Sequence, residues 1–483
     1  MSATDTAEPV DPALMTAEEL LGAYARHDLS PVEVLKAVTE RIAQLNPEIN
    51  AFAVMNPRAL EAAGESEARW LTGRPRGILD GVPVTVKDLM NLAGFPTRRG
   101  SRLTDPAPVA EDAPCVVGLK EQGAVIIGKT TTPEFGWKSP GDCPLHGITR
   151  NPWNKLHTTG GSSSGAGAAA AAGFGPLHMG SDAGGSIRIP AAWCGVVGFK
   201  PSFGRVPQWP LGAFGNVAVA GPLARSVRDA ALMLSAIARF DLRDPFCLPP
   251  EAHDTPAGTP RDWREGIEEG VAELRVAVLR NPGFEAPVDW EGMAAVSQAA
   301  QLLSEAGAIV DEADPGLPDI REIFGRIWGV ALTQLVHAIP ETRRHMMDPG
   351  LLAVAEANKD VPATAMIEME QARVTAAHAM ARLHQRFDLV LCPTVPNLAP
   401  LCDAPIPDPM AALWTNWAPW TMMFNLTRQP AIAVPMGVAA NGLPRSVQLA
   451  GPLYRDDVVL RAARTREIAQ PFATPDFGTP AAS

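Results

Sequence analysis

The stretch His157–Gly173 reads HTTGGSSSGAGAAAAAG, three serines set among glycines and followed by an alanine run. Such a composition serves either as a linker or as a place where backbone must come very close to something. A second stretch, GSDAGGSIRIP (Gly180–Pro190), sets Ser186 directly after two glycines. Glycines let the chain turn sharply and leave backbone N–H groups pointing outward. Beside a nucleophile, such groups form an oxyanion hole; the same residues also make a plain tight turn. Gly161-Ser162-Ser163-Ser164-Gly165 fits the G-x-S-x-G nucleophile elbow, which requires a strand before it and a helix after it. The upstream NPWNKLHTTG is polar and carries a proline, so no strand is expected to feed this serine. The elbow also needs a later acid and then a histidine, whereas His384 precedes Asp388.

A serine hydroxyl needs a base to take its proton. None of the nine histidines falls inside the two Gly/Ser runs; His157 and His178 only flank them. An isolated lysine does lie in an apolar segment, Lys87 in PVTVKDL. Removal from water lowers a lysine pKa, because burial disfavours the charged form, and a neutral lysine can accept a hydroxyl proton. The alternative is a strand lysine pointing to solvent, paired with Asp88.

The elements that would hold these residues alternate between strand and helix. Thr16–Asn50 reads as two helices, the second opened by the capping box Ser30-Pro31-Val32-Glu33 with proline at its first position. Val34, Leu35, Val38 and Ile42 recur behind it at helical spacing. GVPVTVKDLMN, GAVIIGKT, VAVLRN and DLVLCPT read as short buried strands, the second preceded by an amphipathic segment over Val116–Glu121. AIAVPMG and RSVQLAG flank Asn441-Gly442, a hairpin signal. This alternation predicts an α/β fold, a large mixed and mostly parallel sheet covered by helices on both faces. A single unit is expected, with N-terminal helices over about 12–60, a core over about 75–240 and a C-terminal part over about 262–470. Pro245–Arg261, rich in proline, is the best linker candidate, crossing the surface of that unit.

Composition narrows the partners. The 483 residues are 46% hydrophobic and 19% charged, enough for a large core. A formal charge of −12, without a Lys/Arg cluster, disfavours nucleic acid. The acidic N-terminus lacks an apolar signal region, and no unbroken run of eighteen apolar residues is present, so neither secretion nor a membrane span is expected. Six cysteines, without C-x-x-C pairs or zinc spacing, read as small buried hydrophobes in a reducing cytoplasm.

Taken together, GGSSSGAGAAAAAG…GSDAGGSIRIPAAWCGVVGFKPS strongly resembles the signature of the amidase signature family. GVPVTVKDL, GKTTTPEFG, RNPW, DLVLCPT and PAIAVPMG…NGLPRSVQLAG extend the resemblance over about Thr16 to Glu467. It implies a Ser–cis-Ser–Lys triad with Lys87 as base, Ser162 as bridging serine with a cis peptide to Ser163, and Ser186 as nucleophile. The 24 positions between Ser162 and Ser186 are familiar in the family. The resemblance also implies an oxyanion hole from the amides of Ala183, Gly184, Gly185 and Ser186, and no metal or cofactor. The alanines would be the close-packed start of a helix.

Substrate class is read from departures. Thr131 stands where members commonly carry Asn, and Ala183 where Thr or Ile is common. In the A chains of glutamine-using amidotransferases an acidic residue holds the substrate ammonium; Ala418 falls near that position. Asp403–Phe424 carries Trp414, Trp417 and Trp420 with Met410, Met422, Met423 and Phe424, broken by four prolines. It reads as one wall of an apolar pocket. Gly136 and Trp137 are placed on the other wall, and Ser163 also counts as substrate-binding. The expected activity is hydrolysis of apolar or aryl amides through an acyl-serine, extending to esters. A carbamate hydrolase with the same triad, or the A chain of a glutamine-dependent tRNA amidotransferase, are the alternatives. A monomer or homodimer is expected.

Overall fold

The computed structural model describes residues 11–252, 260–404 and 418–477. Fifteen strands lie among them: β1 (Phe52–Met55), β2 (Pro83–Lys87), β3 (Val125–Thr130), β4 (Asp142–Cys143), β5 (Gly147–Ile148), β6 (Arg150–Asn151), β7 (Asn154–Thr158), β8 (Leu177–Asp182), β9 (Val197–Lys200), β10 (Val219–Ala224), β11 (Arg275–Val278), β12 (Ile309–Glu312), β13 (Leu389–Pro393), β14 (Ala431–Val438) and β15 (Pro444–Ala450). Eleven of them form one sheet in the order β1-β3-β2-β8-β10-β9-β14-β15-β13-β11-β12. The sheet is mixed and flanked by helices, as expected. Parallel pairing holds toward its two ends, β3-β2-β8 and β13-β11-β12. The middle, from β8 through β10, β9, β14 and β15 to β13, pairs antiparallel, as does β1 at the edge. The middle departs from the parallel expectation partly because β14 and β15 are joined directly by the tight turn at Asn441-Gly442, and a two-strand hairpin is necessarily antiparallel.

Strand alternation sorts the side chains between two faces. Val84 and Val86 of β2, Val276 and Val278 of β11, and Leu389 and Leu391 of β13 enter one apolar core. Ala277, Val390 and Cys392 enter the core on the opposite face. In β2 this alternation sends Thr85 and Lys87 away from the face that takes Val84 and Val86.

The two N-terminal helices form as read, Ala17–Arg26 and Pro31–Ile49, each opened by a complete capping box. The amphipathic segment forms the helix Pro114–Glu121. The alanine run is the helix Ser164–Ala172, every residue buried, closed by Gly173 in the left-handed region. Its small residues are a packing requirement. A Cβ on Gly165 would fall 2.1 Å from the Ala51 carbonyl oxygen and 2.5 Å from the Thr131 nitrogen. A short strand, β7, does precede this helix, contrary to expectation; it pairs with β6 and bridges to Leu401 through His157, outside the main sheet. None of the six cysteines is in a disulfide; four are buried, and Cys247 and Cys402 are half-buried. Among the described residues no helix is long and apolar enough to cross a membrane.

Candidate active site

β3, β2 and β8 run parallel, so their carboxyl ends open on one side of the sheet. Lys87 ends β2, Thr131–Gly136 follows β3, and Ser181–Ser186 ends and follows β8. The carboxyl ends of parallel strands are where open α/β sheets place their ligands.

Lys87 is fully buried. Its Nζ donates to Ser162 Oγ at 2.8 Å, Ser163 Oγ at 3.0 Å and Ser181 Oγ at 3.1 Å. Burial lowers its pKa well below the ordinary lysine range, with Asp182 pulling weakly the other way. Asp88, the alternative partner, instead forms a buried ion pair with Lys129, Nζ to Oδ1 2.8 Å. A neutral amine so placed can take a proton from the Ser162 hydroxyl. No histidine takes this place: His157 Nδ1 meets the Ala399 carbonyl at 2.6 Å, and His178 lies between Thr85 and the Gly175 carbonyl. Burial takes the His178 pKa down to about 3.

Ser162, Ser181, Ala183 and Ser186 line one cavity, together with Gly136. A Cβ on Gly136 would lie 3.0 Å from Ser162 Oγ, so the backbone there passes directly over the serine. The cis peptide bond is the one between Gly161 and Ser162, not the Ser162–Ser163 bond expected from sequence. The Ser163 amide instead donates to the Ser186 carbonyl at 3.1 Å, joining the two Gly/Ser stretches.

Ser163 also departs from its expected substrate contact. It is buried, held by Lys87 and by Ser181, whose amide donates to its Oγ at 3.3 Å. Its hydroxyl fixes the lysine rather than facing the cavity.

The loop before Ser186 is held by a buried carboxylate. Asp182 accepts from the Gly185 amide at 2.7 Å, the Ile187 amide at 3.1 Å and both Arg188 Nε and Nη2 at 3.0 Å. Burial raises its pKa, but Arg188 outweighs that and holds it at about 2. Arg188 in turn reaches Asn425 Oδ1 at 2.7 Å and Gln448 Oε1 at 3.0 Å. Thr421 Oγ1 donates to the Gly184 carbonyl at 2.7 Å. The expected four-amide oxyanion hole is therefore corrected: the Gly185 N–H is engaged by Asp182. No acceptor among the described residues meets the amides of Ala183, Gly184 and Ser186.

The predicted pocket walls are redistributed. Gly136 lines the cavity, as does Phe135, a residue sequence reasoning missed. Trp137 does not; its ring packs against Gly350 and stacks beneath Lys138 Nζ at 5.6 Å. The left-handed Phe135 and Gly136 turn the chain so that the tryptophan leaves on the other side. Trp420, Met422, Met423 and Phe424 lie in the helix Pro419–Leu426 and are core, not wall. Trp414, Trp417 and Met410 lie outside the described residues. The wall is built instead by Leu89, Met90, Trp209, Phe214 and Leu335 with Phe135. Ala418 is buried just ahead of that helix, and Thr131 is buried against Thr149, Oγ1 to Oγ1 2.6 Å. The Ser181, Thr421, Arg188, Asn425 and Gln448 contacts had no sequence signal, since their partners lie up to 260 positions apart.

The family model for Amidase matches residues 33–460. The chain is 34% identical over 468 residues to an acylamidase of Rhodococcus erythropolis, spanning 95% of this chain and 96% of that protein. It is 31% identical over 482 residues to the A chain of the glutamyl-tRNA(Gln) amidotransferase of Chloroflexus aurantiacus, spanning 92% and 95%. The crystal structure of a bacterial aryl acylamidase of the amidase signature enzymes superposes with a TM-score of 0.86 at 29% identity, covering 95% of this chain and 96% of that one. That of 6-aminohexanoate cyclic dimer hydrolase superposes with 0.86 at 30% identity, covering 97% and 99%. The chain belongs to the amidase signature family and is a serine hydrolase of that class.

Proposed function

We propose that the protein is an amidase that hydrolyses the C–N bond of apolar or aryl carboxylic amides, with Lys87, Ser162 and Ser186 as the catalytic residues. The observation that carries this reading is the cavity at the serines. Its described wall is built from Leu89, Met90, Phe135, Trp209, Phe214 and Leu335, and no described acidic side chain lines it. Such a wall accepts an aryl or alkyl body by burial of apolar surface.

In this mechanism Ser186 Oγ attacks the amide carbonyl carbon. Its proton passes through the Ser162 hydroxyl to neutral Lys87. The oxyanion is met by the amides of Ala183, Gly184 and Ser186, fixed before reaction by Asp182 and Thr421. Lysinium returns the proton through Ser162 to the leaving nitrogen, the C–N bond breaks, and the amine departs. Water then attacks the acyl-serine, gives a proton to Lys87 by the same route, and releases the acid as Ser186 recovers its proton. Every proton taken is returned, and no external reactant beyond water enters. Esters follow the same path with an easier leaving group.

The likeness to amidotransferase A chains supports a second reading, in which glutamine is the substrate and partner proteins use the ammonia. Against it, a glutamine α-ammonium would meet no described carboxylate in this cavity and would stay unpaired there. Carbamates are attacked by the same triad. The test is turnover by the purified chain alone of anilides, primary amides, aryl carbamates, nitrophenyl esters and glutamine. Faster hydrolysis of anilides than of carbamates and glutamine supports the amidase reading. Turnover of glutamine alone, or of carbamates in preference to amides, overturns it.

A further inference from the structure

One feature of the cavity does not belong to an apolar pocket. Of its described lining residues, Arg99 alone carries a full charge. A guanidinium stays protonated in proteins, so a partly buried one on the wall of a largely apolar cavity favours an anion there. The protein supplies none in contact. No hydrogen bond or ion pair joins the Arg99 side chain to any described residue, in contrast to its neighbour Arg98, whose Nε donates to Thr104 at 3.2 Å. The nearby carboxylates make no hydrogen bond or ion pair with it. Asp88 gives Oδ1 to Lys129 at 2.8 Å and keeps a buried Oδ2 that acts on Arg99 only through its field, and Glu134 accepts from Ser101 Oγ and from the Asp348 amide, each at 2.6 Å. Burial depresses the Arg99 pKa and Asp88 offsets this only in part.

Arg99 is also held in place. Its backbone is left-handed, φ 53°, an uncommon region for a residue with a side chain. Two hydrogen bonds fix it there. Its amide donates to the Asp88 carbonyl at 3.1 Å, and its carbonyl accepts from the Phe135 amide at 2.7 Å. Those partners sit next to Lys87 and Gly136, so the position of Arg99 is tied to that of the site.

We propose that Arg99 is a specificity-determining residue that binds a carboxylate carried by the amide substrate. The proposal rests on the amidase reading above and narrows it: the apolar wall takes the body of the substrate, and Arg99 takes an anionic end. Planar guanidinium and carboxylate match in a bidentate pair, which lysine does not reproduce.

The experiment compares charged and neutral amides of equal length. Mono-anilides of succinate, glutarate and adipate, against the uncharged anilides of the same chain length, place the charge on the acyl side. Acetamidobenzoate against acetanilide places it on the amine side. In one of the two series the wild-type kcat/KM ratio of charged to neutral member is expected to be about ten- to hundredfold, the range of a charge-assisted hydrogen bond. Arg99→Gln lowers that ratio to about one, and Arg99→Lys leaves it in between. A wild-type ratio near one in both series, or a ratio that survives Arg99→Gln, overturns the proposal. Binding of the same pairs to the Ser186→Ala protein, with and without Arg99→Gln, is read by calorimetry. Arg99-dependent preference there without any turnover by the wild type sinks the amidase reading and leaves the carboxylate site standing. Equal affinity for charged and neutral members sinks the carboxylate site.

Discussion

At the scale of single residues, the proposed chemistry depends on Lys87, whose pKa burial lowers well below the ordinary lysine range. Ser186→Ala is expected to lower amide turnover more than about a thousandfold, as loss of a nucleophilic serine does, with an unchanged circular dichroism spectrum. Retained turnover would move the nucleophile elsewhere. Lys87→Ala should cost a similar factor on amides and less on activated esters, whose leaving group needs no proton; equal losses on both would count against its role as donor. The pH profile carries a sign. Lys87 acts as base only when neutral, so kcat/KM falls as pH drops through its depressed pKa. The acid limb should therefore lie well below the ordinary lysine value of about 10.4; a limb at that value would show a solvated lysine. Lys87, Ser162 and Ser186 could be singled out in sequence only through the family resemblance, since a lysine in an apolar run and serines beside glycines each have a plain structural reading as well. Ser181 could not, since its contact with Lys87 exists only once β2 and β8 are paired. The Gly185 amide was misread for a related reason, because its acceptor is set by how Asp182 folds back.

At the scale of elements, close approach and buried charge decide what can change. Glycine to alanine inside a helix ordinarily gains about 1 kcal/mol. Gly165→Ala should do the opposite, since the new methyl would meet the Ala51 carbonyl at 2.1 Å. A lowered denaturation midpoint checks this, and a raised one would contradict the packing described. Asp182→Ala leaves Arg188 buried without its carboxylate, between Asn425 and Gln448. A loss of about 3–5 kcal/mol is expected in denaturant unfolding, the usual cost of breaking a buried pair. The capping boxes, the Asn441-Gly442 hairpin and the buried alanine helix were readable because short-range pattern determines them. The destination of Trp137 was not, because two left-handed residues before it redirect the chain. The helix Pro419–Leu426 was misread as wall because large apolar side chains suit a core equally well.

At the scale of the whole molecule, the strand order could not be read from periodicity. Residues far apart in sequence become neighbours, as β9 does with β14, and direction follows from connections rather than from strand composition. The same sheet leaves the proposed hydrolysis to a lysine, two serines and backbone amides. Among the described residues no group of His, Cys, Asp and Glu is arranged to hold a metal ion. The proposed mechanism draws only on the lysine, the serines and the amides, so dialysis against a chelator is expected to leave amide turnover unchanged. Inhibition reversed by added zinc would contradict the mechanism.

Of the proposed reacting groups, Lys87 ends β2 and Ser186 closely follows β8, paired strands in which a one-residue slip would turn every side chain to the wrong face. Much of the opposite wall, Pro207–Phe214, belongs to the irregular connection between β9 and β10, which has no register to protect. Heritable change therefore meets two very different tolerances within one site. Insertions and replacements in that connection can drift without disturbing the strand ends. A lineage built on this chain can exchange its diet of amides by altering one loop while inheriting its chemistry intact.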